Sequence, residues 1–134
     1  MSLYVDSSAL LKRYVDEPDS GAADAFLRSD PSLLTGRHTV IEVRRNLVRV
    51  LSERGATEAR AAFTHDFESF SVIELDTDTC AIAAAIAEVT GVGTLDALHL
   101  AAAQRAGGVA VPFLTFDIRQ AQAARGLGFT VIGA

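Results

Sequence analysis

Four acidic residues stand where a carboxylate could do chemistry. Asp6 follows the apolar run LYV and opens SSALLKRY, and Asp117 follows VAVPFLTF and opens IRQAQAAR. Glu42 falls in the first turn of the pattern TVIEVRRNL, and Asp96 in the first turn of TLDALHLAAA. Each has a local explanation. A helix N-terminus favours an acid by up to about 1 kcal/mol, and an aspartate after a strand can cap the helix that follows. As a set they suggest more. Four carboxylates brought to one place repel one another unless they take up protons or share a cation. Oxygen donors without cysteine suit Mg²⁺ or Mn²⁺, which keep several waters and also accept phosphate oxygens.

These acids need a scaffold that gathers them. Strand patterns are short and far apart, at 3–5, 33–35, 71–75, 109–116 and 129–132. Helical patterns lie between them. Residues 8–15 carry one apolar face closed by Pro18, and Ser20 opens a helix to Arg28. A long helix is expected over 39–54, ended by Gly55, with another from 56 to 70. Thr77 or Asp78 would cap an alanine-rich helix ending near Gly91, and Thr94 one ending at Gly107–Gly108. The last helix fits 118–125. Strands alternating with helices imply an α/β domain, a parallel sheet covered on both faces. Ligands of such sheets bind at the carboxyl ends of the strands, where Asp6 and Asp117 stand.

The length of 134 residues suits one domain, 1–134, with no repeat or long linker. At 49% hydrophobic and 22% charged, the composition is that of a globular chain. Tryptophan is absent, which argues against an aromatic platform for single-stranded nucleic acid. The net charge of −5 argues against a nonspecific nucleic-acid coat. Even so, Arg37, Arg44, Arg45, Arg49, Arg54 and Arg60 gather half of the twelve basic residues in one segment. The lone Cys80 forms no internal disulfide and reads as a small buried hydrophobe. No leader pattern and no run of about 20 apolar residues is visible, so a cytoplasmic protein without a membrane span is expected.

YVDSSALLKRY, TVIEVRRNL, LDALHLAAA and LTFDIRQAQAARGLGFTVI, in that order and spacing, resemble the PIN domain, and within it the VapC-type toxins of bacterial toxin–antitoxin pairs. The resemblance implies a three-layer α/β/α fold with a central parallel sheet of four to five strands. It implies a Mg²⁺- or Mn²⁺-dependent endoribonuclease whose four acids fall on Asp6, Glu42, Asp96 and Asp117. Asp6, Asp96 and Asp117 would be the metal ligands, and Glu42 would bind a second ion, hold a ligand water or orient the attacking water. Ser8 and Thr115 would fix the carboxylates or contact phosphate. Thr115 and Phe116 stand where some members carry a further acid, so one metal or two remains open. A homodimer and a small antitoxin partner are implied through the helices at 20–28 and 39–63. Candidate contacts to the RNA backbone are Lys12, Arg13, Arg45 and Arg49, with a solvated helix face as the plain alternative for the arginines.

Other readings keep a place. One is a housekeeping RNA-processing nuclease of the same fold, and another a noncatalytic binding module whose acids only cap helices. A haloacid-dehalogenase-like phosphatase would need an aspartate at position 8, where Ser8 stands. His99 shares a helix face with Asp96 and reads as a structural hydrogen-bonding group rather than a zinc ligand, and His38 and His65 as surface or capping residues. Ser7 and Ser8 have no His and Asp partners in a triad motif, and neither GxGxxG nor a P-loop is present.

Overall fold

A computed structural model describes residues 2–134. Five parallel strands form one sheet: β1 (Leu3–Val5), β2 (Leu33–Gly36), β3 (Ser71–Ile73), β4 (Phe113–Thr115) and β5 (Val131–Gly133), in the order β3-β2-β1-β4-β5. The helices are α1 (Ser7–Leu11), α2 (Ser20–Ser29), α3 (Thr39–Val50), α4 (Glu53–Phe67), α5 (Thr77–Thr90), α6 (Thr94–Ala106) and α7 (Ile118–Gly126).

Strand alternation sorts the core onto two faces. Leu3, Val5, Leu33 and Leu114 point to one side and pack with Leu10, Leu27, Val43, Leu47 and Phe63 of α1–α4. Tyr4 and Phe113 point to the other and pack with Ile86, Leu100 and Ala124 of α5–α7. Burying a large apolar side chain contributes about 1.5–3 kcal/mol, so the two faces together hold a three-layer α/β/α arrangement. Among the described residues no single helix is long and apolar enough to cross a membrane.

The chain builds outward from β1 to β2 and β3, then crosses over to lay β4 on the other side of β1. Open α/β sheets bind ligands where the winding reverses in this way. Tyr4 pairs with Phe113 and Val5 with Leu114, and Asp6 N–H donates to Leu114 O at 3.1 Å. The carboxyl ends of β1 and β4 are therefore level.

Several boundaries differ from the sequence expectation. The apolar run 109–116 gives only three strand residues, because Gly107 and Gly108 adopt positive φ and turn Gly108–Ala110 into a 3₁₀ turn. The helix expected over 39–54 stops at Val50. Ser52 restarts the chain as the N-cap of α4, its Oγ accepting from Gly55 N–H at 3.1 Å, so Gly55 begins a helix rather than ending one. Helix α1 spans Ser7–Leu11 rather than 8–15. Asp76, not Thr77 or Asp78, caps α5 by accepting from Thr79 N–H, and Gly93 takes the position expected of Thr94. Cys80 is exposed rather than buried: α5 turns Thr79, Ala83 and Ile86 inward, and Cys80 lies off that stripe. His38 takes the N-cap position of α3 without a side-chain capping bond, and is 2% exposed rather than at the surface, its ring 4.0 Å from that of His99.

Candidate active site

Asp6 sits one residue beyond β1 and is the N-cap of α1. Its Oδ1 accepts from Ala9 N–H at 3.0 Å and from Ser8 Oγ at 2.7 Å. Cap and sheet together fix the carboxylate at 3% exposure. Asp117 repeats the device at β4: it caps α7 by accepting from Gln120 N–H at 3.0 Å. Its own N–H donates to Thr115 Oγ1 at 3.1 Å, a short side-chain turn that aims the cap. Ser8 Oγ lies 3.4 Å from Thr115 Oγ1 and accepts from Phe116 N–H at 3.3 Å, tying the two strand ends together.

Glu42 and Asp96 come from first helical turns, where the macrodipole favours an acid. Helix α3 is held at its start by Thr35, whose Oγ1 is 2.7 Å from Val5 O and from Thr39 Oγ1. Helix α6 is tied to α7 by buried Gln120, whose Nε2 donates to Asp96 O at 3.0 Å while its N–H serves Asp117.

These elements make one open cleft of about 200 Å³, lined by Asp6, Ser7, Ser8, Leu11, Glu42, Asn46, Asp96, His99 and Asp117. All four sequence-predicted acids line it, and no lysine or arginine does. The electrostatics follow. Burial pushes the Asp6 carboxyl above the usual range, with His99, Thr115, Ser8 and Ala9 offsetting part of the cost. Asp96 is also pushed up, first by burial and then by the charges of Asp117, Asp6 and Glu42. Among the described residues, Asp96 has no hydrogen-bond donor on its carboxylate.

Glu42 goes the other way. Burial disfavours its charge, but hydrogen bonds from His99 and Ser7 and the nearby imidazoles outweigh that and hold it below the usual range. Its Oε1 accepts from Ser7 Oγ at 2.8 Å and from His99 Nε2 at 2.8 Å. His99 Nδ1 is 2.9 Å from the hydroxyl of fully buried Tyr4, which stacks on Phe113. A Tyr4–His99–Glu42 chain therefore runs from the sheet core to the cleft, and His99 makes the hydrogen bonds that a structural role calls for. Ser7, Asn46, Tyr4 and Gln120 carry no functional signal in the sequence. Asn46 alone had a spacing clue, four residues after Glu42 on the same helix face.

The basic candidates divide. Lys12 is spent on Asp19 at 2.7 Å and Glu17 at 3.2 Å, and Arg13 on Asp24 at 3.6 Å and Asp66 at 4.0 Å. Arg45 and Arg49 are exposed on α3, and Arg45 lines a second cleft, between α3 and α4, with Arg44 and Arg60.

The sequence profile of the PIN domain matches residues 3–126. Ribonuclease VapC46 of Mycobacterium tuberculosis (strain ATCC 25618 / H37Rv) is 33% identical over 134 residues, spanning 98% of this chain and 96% of that protein. The crystal structure of VapC20 from Mycobacterium tuberculosis, described as a sarcin–ricin loop cleaving toxin, matches with a TM-score of 0.73 at 20% identity, over 98% of each chain. VapBC-5 from the same species, described as a member of the VapBC family of toxin–antitoxin systems, matches at 0.67 and 17% identity, over 99% of this chain and 98% of that one. The two structures speak for the fold, and the profile and the ribonuclease for descent: this chain belongs to the PIN domain family, among its VapC relatives.

Proposed function

We propose that the chain, as one nuclease domain over 1–134, is a cytoplasmic metal-dependent endoribonuclease and the toxin of a toxin–antitoxin pair. The observation that carries this is the cleft itself: carboxylates from four separate elements face one space that no lysine or arginine enters. The relative named a ribonuclease supports RNA as the substrate.

The donor set fits a hard divalent cation. It is all oxygen, Asp6 and Asp96 both hold their charge at a cost, and the Asp96 carboxylate lacks a donor. Asp6, Asp96 and Asp117 would hold Mg²⁺ or Mn²⁺. When bound, such an ion supplies Lewis-acid polarisation of the phosphoryl oxygen and acidifies water. The chain's own groups do the rest. Ser8 and the α1 backbone fix one Asp6 oxygen and leave the other to the cleft. Gln120 N–H fixes one Asp117 oxygen likewise, while Thr115 Oγ1 accepts from the Asp117 backbone N–H. Glu42 is held ionised, with Oε1 committed to Ser7 and His99, so Oε2 is the atom that accepts a hydrogen bond from the attacking water and orients it. A lowered carboxyl makes a poor proton store, which favours orientation over general-base work.

Of the four basic candidates, Arg45 and Arg49 have no ion-pair partner among the described residues and are free to follow an RNA backbone; Lys12 and Arg13 serve the fold. The partner reading is an antitoxin that seats on the exposed apolar positions Ile41, Val48 and Val50 of α3 and offers a basic side chain to the cleft, with the toxin as a homodimer.

The test is cleavage of total cellular RNA by the purified chain with 5′-end mapping. Discrete ends that need Mg²⁺ or Mn²⁺ and vanish in Asp6→Asn and Asp96→Asn are expected. Undiminished cleavage in both variants would reject the assignment.

A further inference from the structure

We propose that His38, Glu42 and His99 form a second, transition-metal site beneath the carboxylate cleft, with Zn²⁺ as the fitting ion. One ligand atom from each lies within 4.8 Å of the others. His99 Nε2 is 2.8 Å and His38 Nε2 is 3.8 Å from Glu42 Oε1. Tetrahedral zinc with bonds of about 2.0–2.1 Å needs its ligands roughly 3.3 Å apart, between those two separations. Small rotations of the rings and carboxylate would close the set.

One observation beyond the spacing points to a ligand, and a second shows how the ring is housed. His38 is 2% exposed, and neither ring nitrogen completes a hydrogen bond of good geometry, although the Leu95 backbone lies close enough to act on the ring. Buried polar atoms are normally satisfied, so this imidazole is short of something to bind. The other is Gly36. A Cβ there would stand 2.6 Å from His38 Cε1 and 2.7 Å from Nδ1. The missing side chain opens the space that lets His38 face Glu42.

The donor chemistry separates this site from the one above. Two imidazoles and one carboxylate suit zinc, and three protein ligands leave a fourth position open. The neighbouring aspartates, oxygen donors only, suit Mg²⁺. His99 also has the partner that zinc-bound histidines usually have: its Nδ1 is 2.9 Å from the Tyr4 hydroxyl, which can take up the Nδ1–H and free Nε2 for the metal. Glu42 and His99 line the cleft, so an ion can enter from solvent. Zinc bound at Oε1 draws charge from the Glu42 carboxylate, so Oε2 accepts more weakly from the attacking water and cleavage is inhibited. That consequence, unlike the site itself, rests on the function proposed above.

The test uses Co²⁺ as a visible stand-in for Zn²⁺, titrated into the full chain with excess Mg²⁺ present and no RNA. One equivalent should develop the intense visible bands of low-coordinate Co²⁺, and Zn²⁺ should displace it. His38→Gln should weaken binding by more than the ~10–100-fold that loss of an outer-shell partner costs. Gly36→Ala, which keeps all three ligands, should weaken it at least about tenfold by pushing the ring aside. Asp96→Asn should leave the bands intact. Far-UV circular dichroism monitors the fold, and Gly36→Ala decides if His38→Gln unfolds. Spectra no stronger than aqueous Co²⁺, bands unaffected by both His38→Gln and Gly36→Ala, or bands lost only in Asp96→Asn would overturn the site. The readout stands whether or not the chain cleaves RNA.

Discussion

Asp96→Asn and Glu42→Gln each remove one negative charge from the same cleft, yet they should move stability in opposite directions. Glu42 Oε1 accepts two hydrogen bonds at 2.8 Å. Charge-assisted bonds contribute about 1.5–3 kcal/mol each and neutral ones about 0.5–1.5, about 2–3 over the two bonds; Gln escapes part of the cost of burying a charge, so Glu42→Gln should cost about 1–2 kcal/mol. Asp96 has no such bonds to lose, and its carboxyl is pushed up by burial and by three like charges. Its half-exposed position screens that repulsion, and Asn forfeits part of the helix-dipole gain, leaving a net stabilisation of about 0.5 kcal/mol. With a urea slope of about 2 kcal/mol/M, the midpoint should fall by about 0.5–1 M in Glu42→Gln and rise by about 0.2–0.3 M in Asp96→Asn. The assay is urea unfolding followed by far-UV circular dichroism at neutral pH with EDTA. The pH signs are also opposite. A lowered carboxyl contributes stability above its ordinary range that is lost as pH falls through its folded value, so the Glu42→Gln deficit should shrink in acid. A raised carboxyl binds protons more tightly when folded, so stability drains as pH rises from the ordinary range through the folded value. The Asp96→Asn gain should therefore develop across that window and be complete above it. Both variants losing similar stability at neutral pH would refute the reasoning.

Further outcomes follow from the same geometry. Mn²⁺ at a hundredfold excess over its Kd should raise Tm by about 5–10 °C at neutral pH, fading in acid as Asp6 and Asp96 take up protons, as differential scanning fluorimetry would show. Ser8→Ala removes the 2.7 Å bond to Asp6 and should weaken Mn²⁺ binding about 10–100-fold in calorimetry with little change in fold. Phe63→Ala empties a site 2% exposed beside Tyr14 and Phe67, and should cost about 3–5 kcal/mol in urea unfolding. Arg45→Gln with Arg49→Gln should raise KM for RNA and flatten its salt dependence while leaving kcat unchanged.

The acids were legible in the sequence because each sits at a boundary marked by local signals, an apolar run ending or a helical stripe beginning. Asp6 and Asp117 could be placed at strand ends from LYV and LTF alone. What holds them could not be read. That Ser8 faces Thr115, and that Tyr4 reaches His99, depend on β4 lying beside β1, a pairing between segments about a hundred residues apart that no local periodicity encodes. The helix break at Leu51 was hidden because the apolar stripe runs across it, and only the Ser52 hydroxyl turns the chain. Cys80 misled because α5 is alanine-rich all round and its inward stripe is faint. His38 misled because a histidine after an arginine looks solvated, and nothing local marks Gly36 as the residue that makes its room.

The crossover that places β4 against β1 also has a consequence in time. A chain still emerging from the ribosome presents Asp6 early, but the opposite wall arrives only with the segment through Asp117. Until that segment docks, the cleft lacks its Asp117 wall. On the function proposed above, cleavage waits until that segment is made, which gives a neutralising partner time to be present first.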